Sequence, residues 1–259
     1  MPDPAISNGL CVELVSPGLV RDAGQAFELK FLLTLAEAAK IEEWARTHMV
    51  PDPHGDGGLY RITSVYCDTP SFDVLHRSPG FRRSKFRLRR YGSEERVYLE
   101  RKSKRKDRVE KRRSDVCEEE LQLLAVEPTP LEWHAAWFHK KISRRGLRPA
   151  CRITYWRRAF FKQLGEHPVR LTLDHGLIGA AAADWNQSPV HDGEPLLPDH
   201  KLLELKFHVQ MPSLFHDLLQ HLPAQPARVS KYRLCMERCG LGPTNAVLPL
   251  PEIPLKQGA

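Results

Sequence analysis

Basic and acidic residues alternate with apolar residues in several short stretches of this sequence. The tetrapeptide Glu-Leu-Lys-Phe occurs twice, placing Glu28 two residues before Lys30 and Glu204 two residues before Lys206. Lys and Arg side chains bind phosphate oxygens, and carboxylates supply the hard oxygen ligands that Mg²⁺ and Mn²⁺ prefer. These residue types at this spacing predict a site for a phosphorylated anion and a divalent metal.

The spacing of these residues fits β-strands, because side chains two positions apart in a strand share one face. Helical spacing and capping signals, such as Thr34 followed by Glu37, predict helices between the strands. The predicted strands are 26–33, 60–68, 83–91, 96–102, 151–161, 169–174 and 201–207, and the predicted helices are 34–49, 70–77, 129–146, 211–222 and 230–240. Helices inserted among antiparallel strands indicate an α+β fold built on one large sheet.

One face of most predicted strands is charged and the other is apolar. In a single strand a solvated face is the commoner explanation, but such faces are usually rich in Thr, Ser and Gln. Directly opposed charges on neighbouring strands also lie only about 5 Å apart, so a shared charged face needs a polyanion and a metal ion. We therefore predict a closed barrel with a polar, basic interior, whose apolar outer face is covered by helices.

The composition limits the possible partners and the compartment. The 259 residues include 39 Lys and Arg against 32 Asp and Glu, and the net charge of +7 favours an anionic partner. The sequence contains no run of about 18 apolar residues, which a transmembrane helix would need, and its N-terminus has no signal-peptide pattern. We therefore expect a cytoplasmic protein. Weak periodicity in 1–25 and a Pro-rich 241–259 predict extensions flanking one domain, 26–240.

Eight stretches, in order, resemble the motifs of the VTC domain, which belongs to polyphosphate polymerases of the triphosphate tunnel metalloenzyme or CYTH-like superfamily. They are ELKF, YCDTPSFDVLHR, KFRLRRYG, YLERKSKRKDRVEKRR, CRITYWRRAF, VRLTLD, LLELKF and VSKY, spread over residues 26–240. The resemblance implies an antiparallel, eight-stranded β-barrel tunnel flanked by helices. It further implies that ATP or inorganic polyphosphate is bound there with Mn²⁺ or Mg²⁺.

The resemblance also implies roles for individual residues. Glu204 would bind the metal, with Glu28 or Glu100 as a helper, and would act in catalysis together with Lys30, Arg87 and Arg89. Phosphate-binding roles fall on Lys30, Arg87, Arg89, Lys102, Arg152, Arg170 and Lys231. We add Ser230, because a helix N-terminus attracts anions, and Lys111 as a contact at the tunnel mouth.

The implied reaction is transfer of the γ-phosphate of ATP onto a growing polyphosphate chain. An inorganic tripolyphosphatase or nucleoside triphosphatase would use the same residues, whereas a non-catalytic polyphosphate-binding module would not need Glu204. Ala26 stands where the hydrolase branch has the first glutamate of Glu-x-Glu-x-Lys, which argues against a CYTH-type cyclase or thiamine triphosphatase.

Two other partners were considered. Nucleic acid is disfavoured, since the aromatic residues mostly alternate onto the apolar face and form no stacking platform. A membrane-protein partner that threads the product, and the oligomeric state, are left open by the sequence.

Overall fold

The computed structural model describes residues 27–105, 108–208, 210–220, 222 and 225–241. The predicted extension 1–25, Ala26 and residues 242–259 of the predicted tail lie outside the described residues. The strands are β1 (Phe27–Thr34), β2 (Val50–Pro51), β3 (Leu59–Asp68), β4 (Ser84–Tyr91), β5 (Arg96–Arg105), β6 (Arg108–Cys117), β7 (Arg148–Leu164), β8 (His167–Ala181), β9 (Glu194–Pro195) and β10 (His200–Phe207). The helices are α1 (Leu35–His48), α2 (Asp73–His76), α3 (Ala136–Arg144), α4 (Ser213–Gln220) and α5 (Lys231–Arg238), with a 3-10 helix at Glu119–Ala125.

Eight long strands form one antiparallel sheet in the order β1-β10-β8-β7-β3-β4-β5-β6, and the short β2 and β9 pair with β7 and β8. Within the described ranges no backbone ladder joins the edge strands β1 and β6. Instead, Lys102 on β5 donates a hydrogen bond of 2.6 Å to Glu28 on β1. The predicted α+β class and antiparallel tunnel are confirmed, with side chains rather than a ladder spanning the seam.

The strand β6 is the largest addition to the elements predicted from periodicity. It pairs with β5 from Arg96–Cys117 to Arg105–Arg108, within a run that the sequence assigned to strand and loop. Among the residues of β6 whose burial the structure describes, 111–117, only Val116 lies in the hydrophobic core. Most residues of the strand are charged. A strand with so few apolar residues gives little alternation to detect.

Helices cover the outer face of the sheet in two places. Helix α1 begins at Thr34, whose side chain accepts from the backbone of Glu37 in the predicted capping box. Helices α1 and α4 pack on β1, β8 and β10 through a cluster that includes Phe31, Leu33, Ile41, Leu171, Leu203, Leu205 and Phe215. On β4, Phe86 meets Phe138 of α3 edge to face at 5.8 Å. The outer face is therefore apolar and helix-covered, as predicted.

Helix α5 packs on the opposite, inner face of the sheet. Tyr232 stacks on Tyr66 of β3 with ring centroids 5.6 Å apart, and its hydroxyl donates to the buried Asp68. A Cβ at position 179 of β8 would lie 2.5 Å from the Cys235 sulfur, so Gly179 is needed for this close approach. The helix therefore fills part of the interior. Within the described ranges, every helix is too short or too polar to cross a membrane.

Candidate functional site

The inner face of the sheet and the start of α5 enclose an open cavity of about 570 Å³, counting the solvent at its mouth. Eight of its lining residues are cationic, namely Lys30, Lys85, Arg87, Arg89, Lys102, Arg157, Lys206 and Lys231. Two are carboxylates, Glu28 and Glu204, and the others are Tyr66, Tyr155, Val229 and Ser230. Such an excess of one charge in a partly enclosed space attracts anions strongly.

Most of the residues predicted for the site lie together in this cavity. They are Glu28, Lys30, Arg87, Arg89, Lys102, Glu204, Ser230 and Lys231. Four predicted residues are not among the lining residues, namely Glu100, Lys111, Arg152 and Arg170. The structure gives each of these four a different partner.

Lys30 lies between the two carboxylates of the cavity. Its Nζ is 2.8 Å from Glu204 and 3.2 Å from Glu28, which also accepts from Lys102. Burial opposes the charge on Lys30, but the two carboxylates prevail and raise its pKa above the usual value. Burial likewise opposes ionisation of Glu204, but Lys30, Lys231 and Lys206 hold the pKa of its carboxyl well below the usual range. These side chains form a charged cluster across β1 and β10.

Asp174 of β8 organises a second cluster that was not assigned from the sequence. Its carboxylate accepts two hydrogen bonds from Arg157, at 2.6 and 2.7 Å, and one of 2.6 Å from Lys231. Asp174 is fully buried, which disfavours its charge, yet Arg157 and Lys231 lower its pKa to about 2. This carboxylate holds Arg157 of β7 and Lys231 of α5 in place in the cavity wall.

Glu100 of β5 is the centre of a third cluster. Its carboxylate lies 2.7 Å from Arg87, 2.9 Å from Lys111 and 3.7 Å from Arg113. Burial would raise the pKa of Glu100, but Arg87 and the neighbouring cations hold it well below the usual range. The structure does not bring Glu100 to the two carboxylates of the cavity, and Lys111 contacts Glu100 instead of lining the cavity.

Arg152 and Arg170 also differ from their predicted positions. Along β7, alternation places Arg152 on the face opposite to Tyr155 and Arg157, and its guanidinium pairs with Asp184 at 2.6 Å. The prediction that Arg152 faces the tunnel is therefore wrong.

Arg170 lies on the same face of β8 as Asp174, but it engages other partners. Its guanidinium donates to Asp52 at 2.6 Å and to the Tyr60 hydroxyl at 2.7 Å. Arg170 therefore lies on the strand face that was predicted. Its side chain does not line the cavity, because it binds Asp52 and Tyr60 instead.

Comparison with known proteins identifies the family. The family model of the VTC domain matches residues 25–239. The chain belongs to the VTC domain family. No curated protein sequence matches the chain.

Several solved structures are similar to this VTC domain. A proposed adenylate cyclase from Bacillus halodurans superposes with a TM-score of 0.51 at 12% identity, over 80% of this chain and 94% of that one. A Hippeastrum protein is described as a proposed adenylyl cyclase with a dominant triphosphatase activity. It superposes with a TM-score of 0.49 at 12% identity, over 83% of this chain and 96% of that one. The PH1819 protein of Pyrococcus horikoshii superposes with a TM-score of 0.46 at 15% identity, over 82% of this chain and 99% of that one. At 12% identity, the likeness to the Bacillus halodurans structure concerns the fold alone.

Three cations of the VTC cavity have no carboxylate within ion-pair distance in the described part of the chain. Arg89 donates to the hydroxyls of Ser64 and Tyr155, each at 3.2 Å, and Lys85 donates to the hydroxyl of Ser230 at 2.9 Å. Burial lowers the pKa of Lys206 to about 8, although Glu204 and Glu28 oppose this shift. These cations are available to an anionic ligand.

The two cavity carboxylates of the VTC domain suit a divalent metal. Glu28 and Glu204 both reach the position that the Lys30 ammonium occupies, so their oxygens converge on one cation site. Mg²⁺ is commonly held by one or two carboxylates, with water and substrate phosphates as its other ligands. The described residues contain no group of three or more His, Cys, Asp or Glu that could hold an ion alone. A metal here would therefore be completed by the substrate.

Six lining residues of the VTC domain were missed as site residues, namely Tyr66, Lys85, Tyr155, Arg157, Lys206 and Val229. Lys85 and Lys206 share the parity of assigned residues on their strands, which was a usable signal. In β7, by contrast, Arg152, Arg157 and Arg158 occupy both faces, so parity alone gives no way to choose between the faces.

Proposed function

We propose that this VTC domain is an ATP-dependent polyphosphate polymerase, which transfers the γ-phosphoryl group of ATP onto the terminal phosphate of a growing inorganic polyphosphate chain. The observation that carries the proposal is the single cavity lined by eight cations and two carboxylates in a member of this family. A phosphate chain bears negative charge at every unit, and a row of Lys and Arg donors matches such a ligand along its length.

The cavity residues have separate roles in this proposal. Phosphoryl transfer requires mainly positioning and neutralisation of charge on the transferred group. Arg87 and Arg89 lie two residues apart on β4, and their guanidinium groups offer paired donors to adjacent phosphates. Lys30 and Lys102 face them from β1 and β5 and add mobile point charges.

Fixed geometry on the other side of the cavity supports the same reaction. Asp174 holds Arg157 and Lys231 in place before any ligand arrives, so these donors need little rearrangement when charge develops on a phosphate. In contrast, Lys85 and Lys206 have no such carboxylate in the described part of the chain and can follow the ligand.

A divalent metal, Mn²⁺ or Mg²⁺, belongs to the proposal. Glu204 and Glu28 would hold it, and when bound it would neutralise phosphate oxygens that the cationic side chains do not reach. Lys30, which contacts both carboxylates in the structure, would then be free to contact phosphate instead.

The test is a product analysis with the purified protein, ATP and Mn²⁺, on a gel that resolves long-chain polyphosphate from free phosphate. We expect long chains, and the same products from the control variant Lys140→Met, which removes one charge from the exposed surface of α3. Free phosphate alone would identify a tripolyphosphatase or nucleoside triphosphatase. Tight polyphosphate binding without turnover would identify a binding module.

The proposed partners are ATP and inorganic polyphosphate. A cytoplasmic location stays a prediction from the sequence, and a membrane-protein partner that threads the product is left open by it. Both can be examined by fractionating cells that express the tagged protein and identifying what co-purifies with the membrane fraction.

A further inference from the structure

Lys85 is a cavity residue to which the family resemblance assigned no role. It lies on β4 two residues before Arg87, and its Nζ donates a hydrogen bond of 2.9 Å to the Ser230 hydroxyl. In the described part of the chain, no carboxylate lies within ion-pair distance of this ammonium group. A partly buried ammonium whose hydrogen-bond partner among the described residues is a neutral hydroxyl is poorly stabilised by this part of the protein.

The strongest charge effects on Lys85 come from groups of its own sign, while the cavity carboxylates Glu28 and Glu204 contact Lys30 and Lys102. These groups of like sign are Lys30 on β1, Lys102 on β5, Arg87 on its own strand and Arg233 on α5. Burial first, and then these four cations, lower the pKa of Lys85 to about 7. Positive charge is therefore concentrated around Lys85, and an anion bound in the cavity would stabilise the charged form of this lysine.

The partner of Lys85 lies at a helix start, which adds a second feature of an anion site. Ser230 is the N-cap of α5, and its hydroxyl accepts from the backbone amide of Arg233 at 3.5 Å. The N-terminus of a helix carries partial positive charge and free backbone donors. Ser230 lines the same cavity as Lys85, so both groups are open to one ligand.

We propose that Lys85 and Ser230 together bind one phosphate group of the polyanion, which makes Lys85 a substrate-binding residue beside the N-terminus of α5. This inference rests on the proposed function, in which a phosphate chain occupies the cavity. The bound phosphate supplies the counter-charge that the protein does not, and the Lys85 ammonium becomes fully protonated in the complex. Binding is then accompanied by proton uptake when the pH is near or above neutral.

The test is calorimetric titration of the whole protein with inorganic tripolyphosphate, without metal and with EDTA, at about pH 7 and about pH 9. Three variants are compared with the parent protein. Lys85→Met removes the charge, Lys85→Arg keeps a charge that does not titrate in this range, and Lys140→Met removes a charge from an exposed position outside the cavity. Buffers of different ionisation enthalpy report the protons taken up.

We expect Lys85→Met to weaken binding by about 10- to 100-fold at pH 7, the loss typical of one hydrogen bond to a charged group. Lys85→Arg should retain most of the affinity and should take up fewer protons than the parent. Lys140→Met should match the parent.

Unchanged affinity in Lys85→Met, with the parent binding tightly, would overturn the inference and leave the proposed function standing. Equal proton uptake by the parent and by Lys85→Arg would also overturn it. A parent that makes no polyphosphate but whose affinity still depends on Lys85 would refute the polymerase and keep the binding role. A parent that binds no tripolyphosphate would refute both.

Discussion

Cations on two sides of the same tunnel differ in whether a carboxylate of the protein pairs with them. On one side, Asp174 binds both Arg157 and Lys231 with hydrogen bonds of 2.6 to 2.7 Å. On the other side, the strongest charge effects on Lys85 come from cations, and within the described ranges its ammonium group donates to the hydroxyl of Ser230. Paired cations hold the wall together without a ligand, whereas unpaired cations are stabilised only when a ligand arrives.

The difference separates the stability of the empty protein from its affinity for an anion. Removing a carboxylate from a buried ion pair leaves an uncompensated charge and destabilises the fold strongly. Removing an unpaired cation relieves repulsion and takes away a ligand contact. The following variants test this division in order of decreasing effect.

The largest effect is expected for Asp174→Asn. This change leaves Arg157 and Lys231 buried without their shared carboxylate, so the free energy of unfolding should fall by about 3–5 kcal/mol. Urea denaturation measures it. The matched control is Asp115→Asn, which breaks an exposed pair with Arg96 and should change stability by no more than about 1 kcal/mol. Equal losses in the two variants would show that the Asp174 cluster is not structural.

The next effect concerns turnover and is expected for Glu204→Gln. The amide keeps the shape of the side chain but removes one of the two carboxylates proposed to hold the metal, so turnover should fall by at least about 100-fold. Metal-free binding of polyphosphate should persist, because the cations remain.

The control for this variant is Glu118→Gln, which removes a half-exposed carboxylate paired with Arg90 and should leave turnover unchanged. Rates are measured over a range of Mn²⁺ concentrations. If Glu204 merely neutralises Lys30, the variant stays active with the Mn²⁺ dependence of the parent, and the metal assignment is lost.

Arg87 and Arg89 give a sharper comparison, because they are neighbours on one strand with different partners. Arg87→Met takes a charged hydrogen bond from the buried Glu100 and should cost about 1.5–3 kcal/mol of stability. Arg89→Met removes hydrogen bonds to two hydroxyls and a cation–π contact with Tyr91, but it also relieves repulsion with Arg87, so its stability should stay within about 1 kcal/mol of the parent.

Both arginine variants should bind tripolyphosphate more weakly than the parent. Unfolding in urea and calorimetric titration give the two quantities separately. The comparison fails if Arg89→Met is the less stable of the pair.

The smallest effect is a pH dependence that Lys85 imposes on the empty protein. Its folded pKa, about 7, lies below the usual lysine value of 10.5, so the unfolded chain binds more protons between these values. Stability should therefore rise with pH in this window, by about 1 kcal/mol from pH 7 to pH 8. Urea denaturation of the parent and of Lys85→Met at both pH values isolates this contribution, which should be absent in the variant. If the stability of the parent and of Lys85→Met changes with pH in the same way, the pKa of Lys85 is not lowered in the folded protein.

The fold was largely predictable because alternation is strong in most strands. In β1 and β10 the charged pair of each Glu-Leu-Lys-Phe motif lies on the cavity side and the phenylalanine on the apolar side, as parity requires. The eighth strand, β6, was not visible from alternation. Its position follows from pairing with β5, which no local pattern encodes.

The site was predictable only where sequence parity and burial agree. Lys30, Arg87 and Glu204 satisfy both conditions. Arg152 and Arg157 lie five residues apart on β7, on opposite faces, and nothing local shows which face meets the cavity. Which carboxylate serves which cation also depends on contacts between distant strands, so the pairing of Glu100 with Lys111 required the structure.

Helix α5 has a consequence for the order in which the protein is made. The strands that supply Lys30, Lys85 and Asp174 are synthesised well before residues 230–238, which supply Ser230 and Lys231. A nascent chain that lacks α5 presents an exposed basic sheet, with Asp174 missing one of its two cationic partners. The complete cavity, with Ser230 and Lys231 in its wall, therefore exists only after α5 has been synthesised and has docked on the sheet.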